Sequence, residues 1–463
     1  MHAEPCRARG PAAAAFGALL PALLGAVAAL PGCAPASLAA RHRALEGDWQ
    51  RSEPAGPGAP AELRLSGSPA LERAALVEEV LRRNRSLEAA RQAWRAALAR
   101  YPQVVSLDDP RLGAGVAPAS FGSPKVRDSY RVDLSQRLPF PGKLALRGEV
   151  ALAEAEAAAR DFEAVELRLA ALASILFDDY TLAARAREIN AEHVALLEEL
   201  QEVALARYRA GEAPQQAPLQ AEVELAHLAH REVALATEGR IVAEQINALL
   251  HRDPALPLPP PPPALAPAGP EPGDPDLAAA LAASPELRAA QAQVRAREAA
   301  VDLARREFLP DVTVAGAWDA LWQERDLRPV VGVEIDLPLR LDRRRAALEE
   351  AHARLEGARR EQERIEDEVR LGVASSVDRL REAQHLLHLS RDRLLPAARD
   401  QLEAARAGFE AGRVDFPALI EAERALRSAR LGHEEALADV SRRAAELERA
   451  TGIRPGRRSG GER

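Results

Sequence analysis

At 463 residues the chain has room for about three domains on length alone. Its composition points elsewhere: Ala, Leu, Glu and Arg dominate and aromatic residues make up only 3%, the signature of long helices or coiled coils. The net charge of −8 is spread over both signs with no basic stripe, which argues against a nucleic-acid partner.

The first residues read as an export signal. Arg7 and Arg9 precede an apolar run from Pro11 to Leu30, which ends at Leu30-Pro-Gly-Cys33. A basic start, a short apolar core and a small residue before the cut describe a secretory signal over residues 1–32. Cleavage before a Cys is similar to a bacterial lipoprotein signal, with Cys33 as the lipidated first residue, although Pro31 departs from the usual small residue. The other reading is an ordinary signal with an incidental Cys. Cys6 leaves with the signal, so the mature chain holds one Cys and no internal disulfide. Beyond the signal no apolar run reaches the roughly 20 residues that a spanning helix needs, so any membrane crossing is left to strands.

Residues 33–70 read as a lipid anchor and a flexible leader, rich in Ala, Gly and Pro (Glu53 to Pro60). A first repeat then occupies 71–253. Helical period begins at Leu71 and stops at Tyr101-Pro102. Between Asp108 and Pro139 the period changes to alternation: Leu112, Ala114 and Val116, a turn at Gly122-Ser-Pro124, then Tyr130, Val132 and Leu134. That is a β-hairpin. From Glu149 to Ala210 there is neither Gly nor Pro, which predicts roughly 90 Å of unbroken helix. Such a helix must lie beside others. After a reversal at Gly211 a helix runs from about Gln216 to Leu250.

A Pro-rich linker at 254–276 contains Pro259 to Pro263. The second repeat, 277–453, has the same order. A helix ends at Leu309-Pro310, and alternating runs follow at Val312 to Gly316 and Val331 to Leu337. A long helix then runs from about Asp342 to Phe409, interrupted by Pro396, before a reversal at Gly412 and a last helix to about Thr451. Residues 454–463 read as a disordered tail.

The two reversals are copies. Tyr208 matches Phe409, Gly211 matches Gly412, Ala221-Glu222 matches Ala422-Glu423, and Leu225 matches Leu426. Gly then Pro between helices suits a sharp turn. A duplicated helix, hairpin, long helix and helix follows. Four strands of about eight to ten residues each are long enough to cross a bilayer when tilted. They cannot close a barrel, because the smallest have about eight strands, and an open edge is not tolerated in lipid. Several chains must share one barrel: two give about eight strands and three about twelve, and only the larger leaves room for a pore. Tyr101, Phe121, Tyr130, Phe140, Phe308, Trp318 and Trp322 cluster at the hairpins, as an interfacial girdle would. A small soluble sheet capped by aromatics is the alternative.

The whole mature chain resembles the TolC-like outer-membrane efflux proteins. The likeness is carried by Leu138-Pro-Phe-Pro-Gly-Lys143, Asn84-Arg-Ser-Leu87 and Ser284-Pro-Glu-Leu287, Leu395-Pro396 upstream of Phe409-Glu-Ala-Gly412, and both tips with their Ala-Glu pairs. It implies a mainly α fold with a small membrane β-barrel portion: a homotrimer with a shared barrel of about 12 strands and a long α-helical tunnel. It implies an outer-membrane, lipid-anchored channel subunit of a tripartite efflux pump, with a periplasmic adaptor and an inner-membrane pump as partners, or a type I secretion duct. No catalysis and no cofactor are implied, apart from the lipid at Cys33.

The resemblance also implies site residues. Glu421 matches an acidic position that narrows the tunnel's inner end. A neighbouring acidic position falls on Ala418, its basic partner position falls on Val414, and Asp415 is an extra acid in the same turn. A ring of such carboxylates repels itself and attracts cations. The bland readings are that Asp415 caps a helix and that Glu421 is a solvated face residue. The tips Ala210, Gly211 and Glu212, with Ala411, Gly412 and Arg413, match adaptor-contact loops; a turn chosen for geometry alone would look the same.

His227 with His230, and His385 with His388, have spacings that could suit a metal, but no Cys or placed carboxylate completes a site. No phosphate loop or nucleophile triad is suggested by spacing. The rivals from other classes are a periplasmic adaptor and a structural coiled-coil lipoprotein. The first lacks its Gly- and Val-rich barrel segments here, and the second has no need of two hairpins.

Overall fold

The computed structural model describes residues 35–52, 69–124, 129–265, 276–322, 324 and 327–452. The signal at 1–32, Cys33, and the tail at 454–463 lie outside the described residues. In chain order the helices are α1 (Ala36–Arg51), α2 (Arg73–Arg83), α3 (Arg85–Val105), α4 (Lys143–Arg209), α5 (Gln216–Leu249), α6 (Leu277–Ala283), α7 (Pro285–Arg306), α8 (Leu341–Leu389), α9 (Leu395–Glu410) and α10 (Phe416–Ala450). The strands are β1 (Arg111–Val116), β2 (Tyr130–Leu138), β3 (Asp311–Asp319) and β4 (Pro329–Asp336). Among the described residues no helix is long and apolar enough to cross a membrane. The chain divides into two compact units.

The first unit holds the sheet and the helix segments next to it: Met1–Arg51, Ala93–Ala159 and Ala289–Gln362. Its strands pair antiparallel in the order β1-β2-β3-β4, so the two hairpins form one sheet. The register sorts the side chains. Leu112 lies opposite Leu134, Val132 opposite Trp318, Val314 opposite Val333, and Val312 opposite Ile335, all on one face. Arg131, Asp133, Arg137, Asp319, Glu334 and Asp336 fall on the other. The apolar face is uncovered: Leu112 is 75% and Val331 78% exposed. Among the described residues β1 and β4 each pair on one side only. β1 spans six residues, not the expected eight to ten. Its Gly113 sits where an Asp133 carboxylate oxygen would lie 2.6 Å from an added Cβ, so a side chain there would have to displace Asp133.

Two expectations are corrected in this unit. Residues 36–51 of the leader are helix, not flexible chain. The helix expected to stop at Tyr101-Pro102 runs on to Val105, with Pro102 inside it. The two findings are linked. Pro102 has no N–H, so the Leu98 carbonyl loses its helical donor. His42 Nε2 of α1 donates to that carbonyl at 3.1 Å, and the His42 ring stacks on Tyr101 at 4.7 Å. Leu38, Tyr101, Ala151 and Leu152 bury together beneath α1.

Where the strands meet the helices, one lysine gathers the chain. Lys143, the first residue of α4, is 1% exposed. Its Nζ donates to Asp311 Oδ1 at 2.8 Å, to the Leu309 carbonyl at 3.0 Å and to Glu307 Oε2 at 3.3 Å, which uses all three hydrogens. Asp311 also accepts from the Phe140 N–H at 2.8 Å and from Arg137 at 2.9 Å. Gly142, at φ 90°, lets the Arg306 guanidinium approach, and Arg306 donates to the Pro141 carbonyl at 2.6 Å. The likeness segment Leu138–Lys143 is thus the tie between the first repeat's β2–α4 corner and the second repeat's α7–β3 corner.

The second unit holds Ser52–Gln92, Arg160–Arg288 and Glu363–Arg463. The described part of the linker is fixed here: the Pro260 carbonyl accepts from Leu71 N–H at 2.8 Å and the Pro259 carbonyl from Tyr180 at 3.3 Å. α8 and α9 are joined through a π-turn at Ser390–Leu394, just ahead of Pro396. The helix expected to be interrupted at Pro396 therefore continues, with the irregular turn placed upstream of the residue that lacks its N–H. α4 and α10 lie antiparallel along a polar seam. Asp179 meets Arg442 at 2.5 Å, Arg185 meets Glu434 at 3.2 Å, and His193 Nδ1 donates to Glu423 Oε1 at 2.7 Å.

Candidate functional site

The two reversals come together in the second unit. Both end their helix in one way. At the first, Gly211 has φ 75°, Glu212 N–H donates to the Arg207 carbonyl at 2.9 Å, and Gly211 N–H to Tyr208 at 3.0 Å. At the second, Gly412 has φ 69°, Arg413 N–H donates to Gly408 at 2.8 Å, and Gly412 N–H to Phe409 at 3.0 Å. This paired bonding closes the last carbonyls of α4 and α9 and needs a left-handed residue, which Gly supplies without strain. Ala210, Gly211, Glu212, Ala411, Gly412 and Arg413 are all exposed.

Matching residues do not have matching surroundings. Phe409 is buried against Phe416, ring centroids 5.5 Å apart, while Tyr208 is exposed. Phe409 is covered by Arg207 of the first repeat, whose guanidinium sits 4.9 Å over its ring and also donates to its carbonyl. This cation–π contact ties tip to tip. Glu423 is fully buried, whereas its sequence counterpart Glu222 is exposed. The buried acid of the first copy is Glu224, two residues on.

Asp415 and Glu421 take different roles in this geometry. The Asp415 carboxylate accepts the Ala418 N–H at 3.2 Å, so Asp415 caps α10. It lines an open cleft of about 450 Å³ with Arg207, Glu212, Gln216 and Arg413. Glu421 is exposed, nearly two turns further along α10. It lines a second groove, of about 660 Å³, with Gln216, Gln220 and Arg424. Arg424 approaches Glu421 at 3.8 Å.

Arg424 also binds Glu224 of α5, at 2.6 Å, and Arg427 binds the same carboxylate at 3.1 Å. Burial alone would push the Glu224 carboxyl up. The hydrogen bonds and charges of Arg424 and Arg427 outweigh it and hold the group below its ordinary value. Glu224, Arg424, Arg427, His193 and Arg207 carry no motif that sequence reasoning could find. Each partner lies in the other repeat, about two hundred residues away in sequence. His227, His230, His385 and His388 are exposed, and the described residues include no group of three His, Cys, Asp or Glu placed to hold a metal.

Comparisons with known proteins agree with this architecture. Residues 277–453 match the outer membrane efflux protein family. The cobalt-zinc-cadmium resistance protein CzcC of Cupriavidus metallidurans is 30% identical over 177 residues, a stretch covering 36% of this chain and 40% of that relative. Among solved structures, the outer-membrane channel OprN is 24% identical with a TM-score of 0.70, covering 82% of this chain and 89% of that one. CusC is 18% identical with a TM-score of 0.72, covering 82% of this chain and 92% of that one. At these identities the structural likeness is one of fold.

Proposed function

We propose, for a chain that carries an outer membrane efflux protein domain over residues 277–453 on the fold of the outer-membrane efflux channels, the role of channel subunit in a tripartite efflux pump. It conducts cargo passively from an inner-membrane pump and a periplasmic adaptor to the exterior. The carrying observation is the sheet: one exposed apolar face, one polar face, and two edges that pair with no further strand among the described residues. A bilayer accepts such a sheet only when its edges are closed. Three copies supply about 12 strands, enough for a pore with the polar face inward. Cys33 carries the lipid that anchors the chain to the outer membrane. The exposed tips Ala210 to Glu212 and Ala411 to Arg413 receive the adaptor. This reading gives the chain no catalytic step and no cofactor.

Purified protein is expected to run as a heat-sensitive trimer on a gel and to conduct in a planar bilayer. A monomer that stays soluble after removal of the lipid would overturn this reading. Glu421 and Asp415 form the aperture in it, with Glu421 as the exposed charge and Asp415 as both charge and helix cap. Replacing both by Ala is expected to raise single-channel conductance and to weaken block by multivalent cations. The Asp415 change also costs about 1 kcal/mol of helix stability through the lost cap. Unchanged conductance and block in the double variant would refute the charged aperture.

A further inference from the structure

Glu421 stands beside residues that the first repeat holds. Glu423, two positions on, is bonded to His193 of α4 at 2.7 Å. Arg424 and Arg427 are bonded to Glu224 of α5 at 2.6 and 3.1 Å. The Arg424 guanidinium is therefore shared unequally: it touches Glu224 and stands 3.8 Å from Glu421. The inequality has a physical cause. The Glu224 side chain is only 3% exposed, so its carboxylate depends on protein donors. The Glu421 side chain is 71% exposed and has water in their place. A buried carboxylate outcompetes a solvated one for the same cation.

We infer that Glu224 is a positioning residue that sets the effective charge of Glu421, by keeping Arg424 beside that carboxylate and not on it. The inference rests on the aperture reading of Glu421. It assigns the charge of the second tip to a residue of the first repeat, where the tip segment itself carries no acid at the matching positions Pro214 and Gln220. Arg427 makes the arrangement tolerant: with Arg424 gone, Glu224 still keeps one guanidinium partner.

The test is the cation-to-anion permeability ratio of the full-length protein in a planar bilayer, read from the reversal potential in a KCl gradient. Arg424→Gln removes the neighbouring positive charge and is expected to raise the ratio about two- to threefold, since mouth charges govern which ions enter. Glu224→Gln frees Arg424 to pair with Glu421 and is expected to lower the ratio by a similar factor. With both changes the ratio should equal that of Arg424→Gln alone, because the freed guanidinium is absent. Glu421→Gln separates the two ideas. If it leaves the ratio unchanged, the aperture reading falls and the inference with it. If it lowers the ratio while Glu224→Gln does not, or if the double variant follows Glu224→Gln, the aperture stands and the inference is overturned. Should Glu224→Gln fail to assemble, an unchanged ratio in Arg424→Gln overturns it alone.

Discussion

Replacing Lys143 by Met is expected to destabilise the protein by about 3–5 kcal/mol, the usual cost of removing one partner from a buried ion pair. Lys143 is 1% exposed, and its ammonium group satisfies Asp311, Glu307 and the Leu309 carbonyl at once. Met fills a similar volume but donates nothing. Asp311 would keep Arg137 and the Phe140 N–H, yet lose the cation closest to Oδ1. The corner between β2 and α4 would then be free to move against the corner between α7 and β3. Thermal unfolding followed by far-ultraviolet circular dichroism measures the change. A Lys143→Met protein that melts with the parent would show that the tie contributes nothing net.

His193→Leu is the second large effect, again about 3–5 kcal/mol, because it strands a carboxylate in a closed interior. Glu423 is 0% and His193 1% exposed. The same unit buries an apolar cluster at the tips that includes Leu197, Leu228, Leu419 and Ile420. Removing the imidazole leaves Glu423 Oε1 without its 2.7 Å donor. Removing both ends should be far milder: His193→Leu with Glu423→Leu exchanges the pair for packed hydrocarbon, a change that is often neutral or stabilising. A chemical denaturation series on the parent, both singles and the double closes the cycle. If the double is as unstable as the sum of the singles, the pair is not a coupled unit.

Period and punctuation carried most of the fold. Alternation at Tyr130 to Leu134 and Val331 to Leu337, and the helical run after Lys143, are local patterns that backbone geometry enforces. The duplicated Gly turns were legible for the same reason, since φ 75° at Gly211 and 69° at Gly412 is a demand on one residue. What escaped depends on distant partners. α1 is a short helix in an Ala-rich leader, and its place follows from a carbonyl left open by Pro102, half a hundred residues on. The site was legible as the two Gly tips and as charges at Asp415 and Glu421. Their settings, a cap bond to Ala418 and an arginine shared with Glu224, come from tertiary packing. The matched pair Glu222 and Glu423 shows the limit: the same letters, one in water and one in the core.

The π-turn at Ser390–Leu394 has a consequence for helical phase. Such a turn holds one residue more than an α-helix would, and each residue of an α-helix advances the face by about 100°. Everything from Leu395 onward is rotated by about that angle relative to an uninterrupted continuation of α8. Phe409, which meets Arg207 and Phe416, lies downstream of this shift. Deleting a single residue between Ser390 and Leu394 is expected to turn the π-turn into plain α-helix and leave Phe409 facing its partners, whereas a deletion elsewhere in α9 would turn that face away.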